Sequence, residues 1–408
     1  MELVQGRALL WGWNVKMTSN TQETGSGGVL YYLSQQVTRQ GQGGYAHVNE
    51  IIAGLSRRGW QVRLFQPSYA QRAQNPSLMM RLPAMVKAEI DLIFARPEPD
   101  AVYLRSHLVS NLVARWCVWR RIPYVEEVNS AGTDAGKVYP VLRRVRGVSR
   151  RAAVWRWRHA AAIIVVTPVL REIVLSAVPG ANVEVVPTGA NTTLFHAPVD
   201  QTRPIEGSYV LFFGSLAPWH DLATMLAAVE LASWPAGVRL VILGSGQQAE
   251  SVKEAAEHDP RIVYVPGVPY SEVPVWVGHA LAGLSLLRTG NGLSASPLKL
   301  YETMACSVPV IVSEAPGQAD LVREIESGVV IPESNPGALA AAVAMLWENP
   351  DEAARMGERG RRAVELSHSW DIRSEQTHRI LLNVLRTSAR QRLHPPSAMD
   401  QGGRSTSW

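Results

Sequence analysis

Cysteine is scarce in this sequence: Cys117 and Cys306 are the only two in 408 residues, both among apolar neighbours and without metal-ligand spacing. That argues against a disulfide framework and a zinc site and fits a reducing compartment, the cytoplasm. No apolar run reaches the roughly 18 to 20 residues needed to cross a bilayer. The short run Ala8-Leu9-Leu10-Trp11 lacks the positive start and the length of a signal peptide. Acidic residues are missing altogether from residues 137–171, where Lys137, Arg143, Arg144, Arg146, Arg150, Arg151, Arg156, Arg158 and Arg171 make nine basic side chains. The whole chain carries only +5, so the basicity is local. Interleaved with Trp155 and Trp157, it predicts attraction to an anionic surface, membrane lipid or a lipid-phosphate acceptor, rather than nucleic acid. A solvated helix face covering the core with arginine stems would read the same way.

With 46% apolar and 18% charged residues, the chain is globular and long enough for two α/β domains. Residues 1–28 are expected to be a disordered leader, because they are polar and glycine-rich towards their end. Apolar runs at residues 29–33 and 60–65 flank a glycine break at 41–44 and a helical pattern through Val48, Ile51, Ile52 and Leu55. Strand, glycine loop, helix and strand make a βαβ unit, the start of a doubly wound sheet. Further strands are expected at 101–105, 123–128 and 162–166, with residues 182–191 as the exit from this domain. A second series runs through 209–214, 239–244, 262–265, 282–287 and 308–312. The predicted organisation is a domain over 29–195, another over 196–370, a helix over 371–393 packing back on the first, and a disordered tail over 394–408. Two such sheets facing each other place both sets of strand ends at one cleft.

The most informative segment is Ser296-Pro297-Leu298-Lys299-Leu300-Tyr301-Glu302-Thr303-Met304-Ala305. Lys299 and Glu302 stand three apart at a helix start and so face one way, the cation suited to phosphate and the carboxylate to sugar hydroxyls. The segment resembles the donor signature of the retaining glycosyltransferases of family four, which have the GT-B fold. In that family the glutamate before Met-Ala holds the nucleotide ribose, a role that falls on Glu302. Gly43-Gly44-Tyr45-Ala46-His47 is similar to the family's Gly-Gly-x-x-His element, which lies across the cleft from the donor diphosphate. Gly214-Ser215-Leu216-Ala217-Pro218-Trp219-His220-Asp221 is similar to its Gly-Arg-Leu-x-x-x-Lys-Gly loop, whose two cations neutralise the leaving group. Here Ser215 and His220 occupy the cationic places, so Lys299 and Arg288 are expected to supply the charge, with His220 protonated on donor binding. Ser294 stands in place of the first of the family's two glutamates.

Other positions complete the expected site. Glu127 and Asn129 end a strand on the same side, Asn129 as a positioner of the sugar and Glu127 as either a catalytic or a structural carboxylate. Val265, Ser296 and Leu298 join Gly214, Ser215, Arg288, Lys299 and Glu302 as donor contacts. Gly244-Ser245-Gly246 reads as architecture. The resemblance runs from about residue 29 to 370 and implies a nucleotide-sugar donor, a carbohydrate or lipid-linked acceptor, no metal and no further cofactor. It implies retention of configuration through a same-face displacement that needs no protein base. A nucleotide-sugar epimerase of the same architecture and a weakly catalytic carbohydrate or lipid-phosphate binder are the alternatives.

Overall fold

The computed structural model describes residues 27–35, 43–68, 78–107, 110–130, 146–198, 202–288 and 297–393. Residues 1–26 of the expected leader, the tail, Ser294, Ser296 and Lys137, Arg143 and Arg144 lie outside them. Two six-stranded parallel sheets form the frame. The first contains β1 (Val29–Ser34), β2 (Gln61–Phe65), β3 (Ala101–Arg105), β4 (Tyr124–Val128), β5 (Ala162–Val165) and β6 (Val183–Val185) in the order β2-β1-β3-β4-β5-β6. The second contains β7 (Ser208–Phe213), β8 (Val238–Leu243), β9 (Ile262–Val265), β10 (Ala282–Ser285), β11 (Val310–Ser313) and β12 (Gly328–Ile331) in the order β12-β11-β10-β7-β8-β9. The strand order reverses between β1 and β3 in one sheet and between β7 and β10 in the other, the places where such sheets open a crevice for ligands.

Parallel strands covered on both faces need apolar side chains on both, which is why they read as unbroken hydrophobic runs. In β3 and β4 every residue is buried. One face of the first sheet, carrying Leu30, Tyr32, Tyr103, Val125 and Ile164, packs under the helices Gly43–Arg57 and Trp370–Leu393. The other, carrying Tyr31, Leu33, Val102, Leu104 and Tyr124, packs under Leu78–Phe94 and Leu112–Arg120. In the second sheet, Leu300, Tyr301 and Met304 of the helix Leu298–Ala305 fill the face formed by Tyr209, Leu211, Phe213, Val310 and Val312.

Some elements differ from the sequence expectation. The segment expected as an exit from the first half contributes β6, and β12 joins the second sheet although no strand was expected there. The helix after β1 starts at Gly43, so the glycine pair forms its first turn rather than a preceding loop. Cys117 and Cys306 are free and buried. Trp155 and Trp157 are half-buried and pack on core clusters, while Arg156, expected on the basic surface, is buried in an ion pair with Glu126 at 3.0 Å. The reason is alternation: Glu126 and Glu127 leave β4 on opposite faces, and Arg156 meets the first of them.

The helix Trp370–Leu393 is part of the first half's core. Trp60 Nε1 donates to His378 Nδ1 at 2.9 Å, and Arg58 Nε donates to Glu375 Oε2 at 2.7 Å. Leu381 is fully buried against the same cluster as Leu30 and Trp60. Leu381→Ala should therefore cost about 2 to 5 kcal/mol of stability, read as a lower urea midpoint for the transition of the first half.

Candidate active site

Two clusters of buried ionisable side chains face each other where the strand ends of the two sheets meet. The first is built around Glu127 at the end of β4. His47 Nε2 lies 3.0 Å from its carboxylate, Tyr103 O–H donates at 2.5 Å and Asn129 Nδ2 donates at 2.6 Å. Arg105, closing β3, adds an ion-pair contact at 3.6 Å and sends Nη1 towards the carbonyl of Gly44. Burial alone would raise the Glu127 carboxyl, but His47, Arg105 and the hydrogen bonds overcome it and hold the group well below the usual carboxylate range. So acidic a carboxylate is a poor proton acceptor, and its geometry orients His47 and Asn129 instead.

The second cluster is carried by the helix Leu298–Ala305. Lys299 and Glu302 are both buried, and Lys299 Nζ sits 3.8 Å above the centre of the Phe212 ring. Its other neighbour is His220 Nε2 at 3.4 Å. Glu302 accepts from Tyr270 O–H at 2.5 Å. Burial lowers Lys299 to about 7 against the pull of Glu302. Burial likewise raises Glu302 to about 7, with Glu50 adding to the rise and Tyr270 and Lys299 opposing it. His220 is pushed down to about 2 by burial and by the adjacent Lys299, so in the ligand-free cleft it is neutral and Lys299 is the cation beside it.

Arg288 sits at the edge of this cluster with its side chain half exposed. Its guanidinium is held by Asp221 at 2.8 Å, and the same carboxylate caps the helix Leu222–Val229 through Thr224 and accepts from Ser334. The charge expected from Arg288 is thus already compensated in this state. Ser215 is exposed, Val265 accepts from Gly244 N–H at 2.8 Å, and Leu298 packs across the cleft on the first half's core. Gly214 holds φ +119°, a backbone conformation that favours glycine, while a Cβ there would stand 3.8 Å from Lys299 Nζ, in ordinary contact. At Gly244 a Cβ would fall 1.8 Å from the Gly214 carbonyl, so this glycine serves the close approach of two loops, as the sequence reading held.

Sequence reasoning did not single out four members of the site. Arg105 and Tyr103 lie in an otherwise apolar strand, and a terminal arginine there was the available signal. Glu50 follows His47 by one helical turn and accepts from Asn191 at 2.7 Å; burial raises its carboxyl despite that bond. Tyr270 follows Val268-Pro269, with only its place after β9 to mark it.

Comparison with known proteins converges on one family. The description Glycosyltransferase Family 4 matches residues 42–194, and Glycosyl transferases group 1 matches residues 198–363. The chain belongs to the group 1, family-four glycosyltransferases. Among relatives of this glycosyltransferase is the GDP-mannose-dependent alpha-(1-6)-phosphatidylinositol monomannoside mannosyltransferase of Mycolicibacterium smegmatis, 28% identical over 52% of this chain and 59% of that protein. Another is the D-inositol 3-phosphate glycosyltransferase of Acidothermus cellulolyticus, 29% identical over 52% of this chain and 51% of that protein. The chain spans about half the length of the curated relatives it matches. In fold, sucrose-phosphate synthase from Thermosynechococcus elongatus aligns over 88% of this chain and 99% of its own with a TM-score of 0.72 at 18% identity. WaaG, a glycosyltransferase of lipopolysaccharide biosynthesis, aligns over 86% and 99% with a TM-score of 0.65 at 13% identity. The architecture is GT-B: two Rossmann-like halves across a cleft.

Lys299 yields a pH prediction whose sign follows from its lowered value. Below pH of about 7 the ammonium is in place for an anion; above it the proton must be taken up when the anion binds. Affinity for a nucleoside diphosphate should therefore fall as pH rises through 7 to 9, approaching tenfold per unit, with proton uptake visible by calorimetry in buffers of different ionisation enthalpy. In Lys299→Met, binding should be weaker and the proton uptake due to the lysine should vanish, leaving any part of the fall that belongs to Glu302.

Proposed function

We propose that the protein transfers a sugar from a nucleotide-diphospho-sugar to a hydroxyl acceptor, with retention of configuration, in the synthesis of a glycan, polysaccharide or glycolipid. The observation that carries this reading is the buried Lys299 and Glu302 pair, one turn of one helix, set at the switch point of the second sheet. Lys299 meets the diphosphate and stabilises the charge that develops on the leaving group, while Glu302, held by Tyr270, accepts from the ribose hydroxyls. Gly43, Gly44 and His47 present a helix N-terminus across the cleft, where an anion is favoured. Asn129 donates to a sugar hydroxyl. Glu127 keeps His47 and Asn129 in place, and the proton of the acceptor passes to the departing phosphate oxygen. His220 acts beside Lys299 as a neutral hydrogen-bonding group until a donor diphosphate offers it a counter-charge.

The relatives named above, which use GDP-mannose or act on phosphatidylinositol and inositol-phosphate acceptors by their names, support a lipid-linked or phosphorylated acceptor bound by the first half. An anionic surface met by residues 137–171 belongs to the same reading, through the exposed Arg150, Arg151 and Arg158 of the described part. No helix among the described residues is long and apolar enough to cross a membrane.

A thermal-shift screen with UDP-, GDP- and ADP-sugars, followed by product analysis with and without acceptor alcohols, tests the assignment. Transfer with the donor's anomeric configuration supports it. Epimerised donor, or tight binding with no turnover on any acceptor, moves the protein to one of the alternatives. Glu302→Ala should weaken nucleotide-sugar binding by about 1.5 to 3 kcal/mol, as for hydrogen bonds to a charged group. Lys299→Ala should slow turnover by about 100-fold or more. Unchanged calorimetric affinity in the first variant would remove Glu302 from the donor site, and near-native turnover in the second would move the charge to Arg288 or His220.

A further inference from the structure

Three helices line the side of the first sheet turned away from the Gly43–Arg57 helix: Leu78–Phe94, Leu112–Arg120 and Arg146–His159. Their inner sides supply Ala88, Leu92, Val113, Ala114 and Cys117 to the core, with Trp155 packed against it. The outer sides of the first two are not the polar surface that a solvated helix normally shows. On the first helix Leu82, Val86, Ile90 and Phe94 recur every fourth residue and are 47%, 38%, 43% and 74% exposed. That spacing keeps them on one side over about 18 Å of helix. The second helix adds Trp119 at 76% exposure, and the third adds Val148 at 68%. Nine of the fifteen large apolar side chains exposed among the described residues lie on these three helices. Scattered single apolar residues are ordinary on a protein surface, whereas a concentration of this kind marks something that covers it.

The charge around the apolar residues says what. Leu112–Arg120 and Arg146–His159 contain no acidic residue, and Arg115, Arg120, Arg150, Arg151 and Arg158 are exposed on them. On Leu78–Phe94 the acids are Glu89, which is buried and accepts from Val113 N–H, and Asp91, which is paired with Lys87 at 2.7 Å. Arg120 is paired with Glu98, and the Arg115 guanidinium lies 5.4 Å above the centre of the Trp155 ring. Apolar and aromatic tips set among cations, on helices too short and too charged to span a bilayer, suit the boundary between acyl chains and anionic headgroups.

We propose that this three-helix face seats the protein on an anionic membrane, with Leu82, Val86, Ile90, Phe94 and Trp119 entering the headgroup boundary and Arg150, Arg151 and Arg158 meeting lipid phosphate. The seat is wider than the basic segment alone and is centred on helices that precede it in sequence. It rests on the proposed function for its purpose, since it would bring the acceptor-binding half to a lipid-linked acceptor. The contact itself is independent of turnover.

Flotation of the full chain with vesicles of phosphatidylcholine alone, and of phosphatidylcholine with phosphatidylglycerol, tests it. The protein should rise with the anionic vesicles, and Ile90→Ser combined with Phe94→Ser or with Trp119→Ser should lower the bound fraction about tenfold or more, as for the loss of one or two buried large apolar groups. Arg150→Ser with Arg151→Ser should reduce the preference for phosphatidylglycerol and the sensitivity to salt, and adding Arg158→Ser should reduce them further. All these residues lie outside the cleft, so the thermal shift with nucleotide sugar should stay at its wild-type value, which shows that the variants are folded. Wild-type protein that stays below both kinds of vesicle overturns the proposal, as do apolar variants that float like wild type. A dimer that the apolar variants dissociate, with no vesicle capture, would make the face a contact between two copies. If vesicles are bound but no nucleotide sugar is bound or turned over, the proposed function fails and the membrane seat stands.

Discussion

A buried lysine ammonium governs the cleft. Lys299 is enclosed by the Phe212 ring, neutral His220 and Glu302, and burial has drawn its proton affinity down to about 7. Burying an unpaired charge is costly, so each neighbour adjusts to it. His220 stays unprotonated because burial disfavours its charge and because a second cation 3.4 Å from Lys299 would repel the first. Glu302 is pulled towards ionisation by Lys299 and away from it by burial and by Glu50 on the opposing half. An entering diphosphate would satisfy the lysine and reverse the balance at His220. Selectivity for an anion is in this sense a property of the empty cleft.

Holding that arrangement requires the two halves to be fixed to each other, and the chain does so where it crosses between them. Ala190 N–H donates to the His368 carbonyl at 3.1 Å, and Trp370 N–H donates back to the Ala190 carbonyl at 3.0 Å. Gly189 permits the approach, since a Cβ there would lie 2.6 Å from the His368 carbonyl. Arg361 ties the crossing to the helix Leu298–Ala305 by donating to the carbonyls of Phe195 at 2.6 Å and Ala305 at 2.5 Å. Trp370, buried at the end of the crossing, meets the His47 ring edge-on at 5.1 Å. The hinge and the Glu127 cluster therefore share a side chain, and a shift between the halves is felt at His47.

The interior of the fold was legible because interior parallel strands are written as apolar runs. The bounds expected for 101–105 and 262–265 are those observed for β3 and β9. The two strands that were not expected, β6 and β12, are outer edges of their sheets, three and four residues long and only partly buried, so their apolar runs are short. The expected strand at 308–312 begins late, at Val310, since Pro309 has no N–H to give the ladder. In the site, Lys299 and Glu302 were visible because one helix turn holds both. Arg105, Glu50 and Tyr270 come together only through contacts between elements distant in sequence. The opposite facing of Glu126 and Glu127 could be read from strand alternation, but their partners, Arg156 and His47, could not.

The departure in the loop after β7 has a consistent physical form. The resemblance puts a lysine at the place of His220 and a glycine at that of Asp221, and here both differ together. Asp221 draws the Arg288 guanidinium to 2.8 Å and shares its other oxygen with Thr224 and Ser334, so that cation is committed at the rim. A lysine at position 220 would then place a second ammonium beside Lys299, with Asp221 already taken up by Arg288, Thr224 and Ser334. Histidine relieves this by giving up its proton in the empty state while keeping a ring nitrogen beside Lys299. Around the helix Leu298–Ala305 the described residues thus offer one buried ammonium, and a diphosphate entering there would favour further positive charge by protonation of His220 or by release of Arg288 from Asp221.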